Sequence, residues 1–307
     1  VYAAAFHTRG IEFGPGGPGA IYRIDMGTGT VAHAITVPDA GPDTHDLRSL
    51  DRAAARLAGR TSLGDLDVGN DESDLFVVNL NNRRIYRFAL PSGRLLGSFA
   101  HGASLEPWAE EARPFGLAVR KGRVYHSVVR SGERSLRRAD LALHVYSSLP
   151  DGTGMGPVGS VALDYARGSA TGRRLAWGTG LLTWLPWRDN PATIVRPETV
   201  RVHPMPMSSD IAFDADGNMA LGLSDRMFFM AVIHRSANEW FGYGGGDVLW
   251  GANQGDRWSI DAVPEHFDDN IVDNSEGTTG GIAAIADQGL IVASGWSPGA
   301  LGPDLPG

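Results

Sequence analysis

Leu66-Asp67-Val68, the turn Asn70-Asp71-Glu72-Ser73 and the run Leu75-Phe76-Val77-Val78-Asn79-Leu80 read as two short strands joined across a polar turn. The chain continues into a second pair, Ile85-Tyr86-Arg87-Phe88 and Arg94-Leu95, around Pro91-Ser92-Gly93. Runs of β-branched and aromatic residues bounded by Gly, Asp and Asn carry the hairpin signature. Two hairpins in series make one four-stranded antiparallel unit.

The unit recurs. Leu117-Ala118-Val119 with Val124 to Val129 around Lys121-Gly122 repeats the first pair, as does Ile211-Ala212-Phe213 with Met219 to Leu223 around Asp214 to Gly217. Ile282 to Ile285 with Leu290 to Ala293 around Asp287-Gln288-Gly289 is the last copy. The second pair reappears as Ile21 to Ile24 followed by Gly27 to Val31, and more loosely as Leu143 to Tyr146 before Pro150-Asp151-Gly152. Val1 to Phe6 resembles the second strand of a first pair without its partner. Four-stranded sheets repeating at roughly fifty residues predict an all-β fold, a β-propeller. We expect one domain over residues 1–307, six-bladed with seven blades as the alternative, and with Arg174 to Gly180 as the weakest blade. The incomplete units at the ends suggest that the ends close one blade together or belong to a processed or trimmed part of a longer chain.

Two stretches interrupt the period. Asp46 to Gly59 places Leu47, Leu50, Ala54 and Leu57 at helical spacing, which predicts a short helix in a loop between blades. Met227 to Gly246 is a long insertion rich in aromatics and glycine. Insertions of this kind sit on the faces of a propeller, where binding occurs.

Composition agrees with many turns. Of 307 residues 41 are glycine and 18 proline, and none is cysteine, which excludes thiol catalysis and thiolate metal sites. Lys121 is the single lysine, so there is no P-loop lysine. A net charge of -8 with arginines dispersed among carboxylates argues against nucleic acid as a partner. No apolar run reaches the ~18 residues of a membrane span.

Two motif matches fail on context. Gly14-Pro15-Gly16-Gly17-Pro18-Gly19 has the glycines of a dinucleotide loop, but two prolines interrupt it and a strand follows instead of a helix. Gly295-Trp296-Ser297-Pro298-Gly299 matches a nucleophile elbow, yet Pro298, Gly299, Gly302 and Pro303 oppose the helix that the elbow requires. No histidine pair has metal-ligand spacing.

Carboxylates are the stronger candidates. Asp65, Asp67 and Asp210 begin the innermost strands of their repeats, which line the central channel of a propeller. With Asn79 and Glu276 they could converge on one hard cation, and Ca²⁺ is the cofactor such oxygen ligands admit; alternatively, the aspartates bond backbone amides of the neighbouring blade. The acidic loop Asp268 to Glu276 lacks the EF-hand pattern. Tryptophans gather in the second half, and Trp184, Trp187 and Trp240 with Tyr243 are the candidates for an aromatic interaction surface, against packing between blades.

Ser62-Leu63-Gly64-Asp65-Leu66-Asp67-Val68, Arg113-Pro114-Phe115-Gly116-Leu117, Pro206 to Asp214, Leu221 to Arg226 and Gly246-Asp247-Val248-Leu249 together resemble a propeller domain of bacterial secreted and cell-surface proteins. In that family the propeller often stands beside collagen-adhesin-type B repeats. The resemblance runs from about Tyr2 to Gly295; the B repeats themselves are absent from this chain. It implies an extracellular or cell-surface, non-catalytic binding or scaffold role, in adhesion or within an extracellular assembly. The expected partners are other surface or matrix proteins, glycans or further copies of the chain. The alternative is a metal-dependent lactonase or hydrolase of the six-bladed gluconolactonase type, with Asp65, Asn79, Asp210 and Glu276 as its available ligands.

Overall fold

The computed structural model describes residues 1–46, 51–166, 183–190, 194–195, 200–201, 203–230, 241–242, 245–261, 278–285 and 290–295. Strands β1 (Tyr2–Ala4), β2 (Ala20–Ile24) and β3 (Val31–Thr36) form the first antiparallel sheet. Helix α1 (Arg52–Leu57) follows. The two hairpin pairs between Leu66 and Leu95 become β4 (Leu63–Val68), β5 (Asp74–Asn79), β6 (Arg84–Ala89) and β7 (Arg94–Ala100), paired in chain order as one blade. Strands β8 (Ala112–Arg120), β9 (Arg123–Arg130), β10 (Ala142–Ser148) and β11 (Gly156–Ala162) repeat that blade.

Next come two short strands, β12 (Ile194–Val195) and β13 (Val200–Arg201). The third four-stranded blade begins with β14 (Pro206–Phe213) and β15 (Met219–Asp225), which leads directly into α2 (Arg226–Met230). Strand β16 (Phe241–Gly242) pairs parallel to β13, and β17 (Asp247–Asn253) and β18 (Trp258–Asp261) complete the blade. A two-stranded sheet of β19 (Thr278–Ile285) and β20 (Leu290–Gly295) packs against β14 and β15.

The four-stranded propeller blade is therefore present, but the blade number is lower than expected. Among the described residues there are four blades, three with four strands and one with three, beside the short three-stranded sheet of β12, β13 and β16 and the two-stranded sheet. Six or seven blades is corrected for a physical reason. Blades are adjacent where another was expected between them: Ser127 Oγ on β9 donates to Ser208 O on β14 at 3.1 Å, and a Cβ on Gly159 of β11 would meet Ile260 Cδ1 of β18 at 2.9 Å. Arg174 to Gly180 lies outside the described residues.

Packing between blades is apolar and aromatic. Tyr125, Phe213 and Trp258 meet edge-on with ring centroids 5.0 to 5.8 Å apart, joining the blade of β9 to the blade that holds both β14 and β18. Edge-on pairs contribute about 0.5–1.5 kcal/mol each beyond their burial. Close backbone approach does the rest at Gly222, where a Cβ would collide with the carbonyl oxygen of Gly280 on the adjacent sheet. The expected loop helix is real as α1, whose Ala55, with Ala58 just beyond it, packs on Trp187, Met205, Met207, Met227 and Met230. No helix among the described residues is long and apolar enough to cross a membrane.

Candidate functional site

Three inner-strand aspartates have a common role. Asp65 accepts from its neighbour Leu66 N at 2.8 Å with one oxygen and from Leu117 N of the next blade at 2.8 Å with the other. Asp67 does the same with Val68 N and Val119 N, both at 2.7 Å. Further round, Asp210 on β14 accepts from Ile282 N of β19 at 2.8 Å. The first two bonds each join residues 52 positions apart, so the sequence period reappears as a hydrogen bond between blades. These aspartates act as latches: one carboxylate satisfies an amide on each side of a blade junction.

Burial raises the proton affinity of all three. It is the largest cause at Asp65, followed by the charge of Asp210 on the facing strand, and together they hold the Asp65 carboxyl well above its usual range. Asp67 is raised by burial, and Asp210 is pushed up to about 6, again chiefly by burial. The donated amides oppose the shift at each site.

Asn79, the third expected ligand, is directed elsewhere. Its Nδ2 donates to Pro38 O at 2.9 Å and its Oδ1 accepts from Asn81 N at 3.0 Å, so the side chain holds the β5–β6 turn against the preceding loop. Glu276 lies outside the described residues. No three acidic or histidine side chains among the described residues converge as a cation site would require.

Replacing Asp67 tests the latch. Asp67→Ala leaves two amides without their acceptor, and the expected loss is about 1–3 kcal/mol of unfolding free energy in urea. Asp67→Asn keeps one acceptor oxygen without the buried charge and is expected to lose less than about 1 kcal/mol. Equal losses in the two variants would show that the charge, not the amide bonds, is what matters.

The tryptophans expected at an interaction surface are buried. Trp184 is 0% exposed, and its indole N–H donates to the Tyr165 hydroxyl at 3.2 Å within the core of the second and third four-stranded blades. Trp187 is 2% exposed and donates to Pro206 O at 2.8 Å. Both are corrected from exposed recognition residues to packing residues, because the segment 183–190 turns its rings inward. Trp240 and Tyr243 lie outside the described residues.

Trp187 nevertheless lines a concavity bordered by charged side chains. Three guanidinium groups surround its ring, those of Arg226, Arg60 and Arg113, at 4.6, 5.7 and 5.8 Å from the centroid. Arg60 pairs with Glu133 at 2.6 Å and Asp189 at 3.1 Å; Arg113 also pairs with Glu133, and Arg226 with Asp189 at 3.0 Å. Over this floor opens a cleft of about 410 Å³, bounded also by Arg134, Leu136 and Arg188. Cation–π contact and shared carboxylates let three like charges coexist.

Sequence reading missed this cluster because its members lie on separate loops and strands. One signal was present: Arg226 stands between the buried run Met219 to Asp225 and the apolar Met227-Phe228-Phe229-Met230. A charge inside an apolar run is seldom left unpaired.

No family model matches this chain, and no curated protein matches it. Solved structures resemble it distantly. A gluconolactonase from Xanthomonas campestris is 14% identical, over 87% of this chain and 72% of that one, with a TM-score of 0.34. A luciferin-regenerating enzyme is 9% identical, over 92% and 82%, with a TM-score of 0.34. A Bacteroides thetaiotaomicron protein of unknown function is 15% identical, over 66% of this chain, with a TM-score of 0.29; this chain spans 38% of its length.

Proposed function

We propose that the chain is a non-catalytic binding or scaffold propeller of the cell surface or extracellular space, working in adhesion or as a subunit of an extracellular assembly. The observation that carries this reading is the use of the inner-strand aspartates: their oxygens accept amide protons across blade junctions and so are engaged in the fold, while the cleft beside Trp187 stands open to a partner. Matrix proteins, glycans and further copies of the chain are the partners this role calls for.

A second reading, a metal-dependent lactonase using Ca²⁺, is favoured by one observation. Asp65 and Asp210 lie close enough across the inner strands to raise the proton affinity of Asp65, a repulsion that a cation would relieve. One experiment separates the two. The purified chain, incubated with δ-gluconolactone and added Ca²⁺ or Zn²⁺, is expected to hydrolyse the lactone no faster than buffer, while an immobilised panel of surface glycans and matrix proteins retains it. Metal-dependent hydrolysis would replace the binding reading, and a strict monomer that no member of the panel retains would remove it.

A further inference from the structure

The geometry points to the cleft above Trp187 as a binding site for a carboxylate-bearing saccharide, a uronate unit of an acidic glycan. The inference rests on the binding reading above and names its ligand class.

Charge is the first argument. Arg60 lines the cleft and Arg113 and Arg226 share its Trp187 ring from behind; the three face two carboxylates, Glu133 and Asp189, so one positive charge is uncompensated before the other lining arginines are counted. The Arg134 guanidinium is neutralised by Glu110, but the exposed Arg188 side chain makes no ion pair among the described residues. A local cationic excess thus stands on a chain whose net charge is -8. Moreover, Arg113 Nε is buried without a hydrogen-bond partner, which leaves a donor unsatisfied behind the cleft.

Donor and acceptor placement selects the anion. A guanidinium fork fits a planar carboxylate through two parallel hydrogen bonds. Asp189, about half exposed at the rim, accepts hydrogen bonds from neutral hydroxyls but repels a dianion. A singly charged group flanked by hydroxyls meets both conditions; a phosphate dianion meets only the first. The volume, about 410 Å³, admits a ligand of one or two sugar rings. Leu136 supplies an apolar wall for a ring face.

Rigidity completes the case. Arg226 is 0% exposed and bonds three backbone carbonyls, so the floor does not reorganise on binding. Preformed charge in a fixed frame reduces the ordering cost of association.

Trigalacturonate is the probe, titrated calorimetrically into the intact chain and into Arg188→Ala, whose exposed side chain can be removed without disturbing the buried frame. Binding is expected, with a salt-sensitive affinity that falls about tenfold in Arg188→Ala, the value of one charged hydrogen bond. The methyl-esterified trisaccharide, which has the same rings without charge, is expected not to bind. Equal binding of the ester, tighter binding of inorganic phosphate or sulfate, unchanged affinity in Arg188→Ala with an unaltered melting curve, or no binding at all would each overturn the assignment. Lactone hydrolysis is read in parallel: its appearance defeats the binding reading, whereas its absence together with no uronate binding defeats this inference alone.

Discussion

Arg226→Met is expected to destabilise the fold by about 3–5 kcal/mol, the range for breaking a buried charged network by removing one partner. The side chain is fully buried at the start of α2. Its Nε donates to Ala58 O at 2.8 Å, Nη2 to Arg56 O at 2.8 Å and to Asp189 Oδ1 at 3.0 Å, and Nη1 to Arg188 O at 3.0 Å. Two of those carbonyls belong to the last turn of α1 and the residue that ends it. A helix of six residues cannot satisfy its own terminal carbonyls, and a cation there also complements the negative end of its dipole. Arg226 therefore ties α1, the 183–190 segment and the third four-stranded blade together through one planar group. Methionine fills much of the volume and satisfies none of these acceptors. Burial has already lowered the guanidinium to about 9, so the group is held charged by its partners and not by water. Urea unfolding of Arg226→Met, with Arg226→Lys as an intermediate case, measures the effect; a loss below about 1 kcal/mol in the Met variant would show that the network is dispensable.

Acidification is expected to produce the second large effect. His126 Nε2 accepts the Gly102 amide at 2.9 Å, so the ring proton sits on Nδ1, and the ring stacks 5.7 Å from Tyr146. An imidazolium has no lone pair with which to accept that amide. Burial pushes His126 down to about 3, and His101 and His7 down to about 4. In each case the folded value lies below the unfolded value of 6.5, so the unfolded chain binds the proton first as pH falls. Their stabilising contribution is complete above pH 6.5 and is lost through the window from 6.5 to about 4 for His101 and His7 and to about 3 for His126. At roughly 1.4 kcal/mol for each unit, His126 alone accounts for about 3 kcal/mol by pH 4.

The inner-strand aspartates act in the opposite sense. Asp210, raised to about 6, favours protonation in the folded state, so stability rises as pH falls from 6 towards 3.8, and the raised Asp65 and Asp67 contribute with the same sign. The stability profile is expected to fall less steeply below pH 6 than the histidines alone would dictate. In the double variant His101→Gln with His126→Gln, the urea midpoint should change much less between pH 6.5 and 4 than in the parent chain. An unchanged slope would assign acid sensitivity to other groups.

The hairpin pairs were legible because their signals are local. Leu75 to Leu80 and Val124 to Val129 are short runs rich in β-branched and aromatic residues, and Asn70 to Ser73 and Lys121-Gly122 supply turn chemistry, so β4 with β5 and β8 with β9 needed no distant contact to be recognised. Even the latch role of Asp67 was available as one of two readings. The choice between them required Val119, which is 52 positions away.

Sequence by itself thus determined the unit of this protein: an antiparallel four-stranded sheet, repeated, without cysteine chemistry or a P-loop. Only the tertiary structure decided how many blades the described chain forms, which way the Trp184 and Trp187 rings turn, and that Arg60, Arg113 and Arg226 share one indole. Strand formation follows from neighbours a few residues apart. Blade number, burial and the charge of a cleft follow from contacts between segments that no local pattern links, from 19 positions apart for Trp187 with Pro206 to 168 for Arg226 with Ala58.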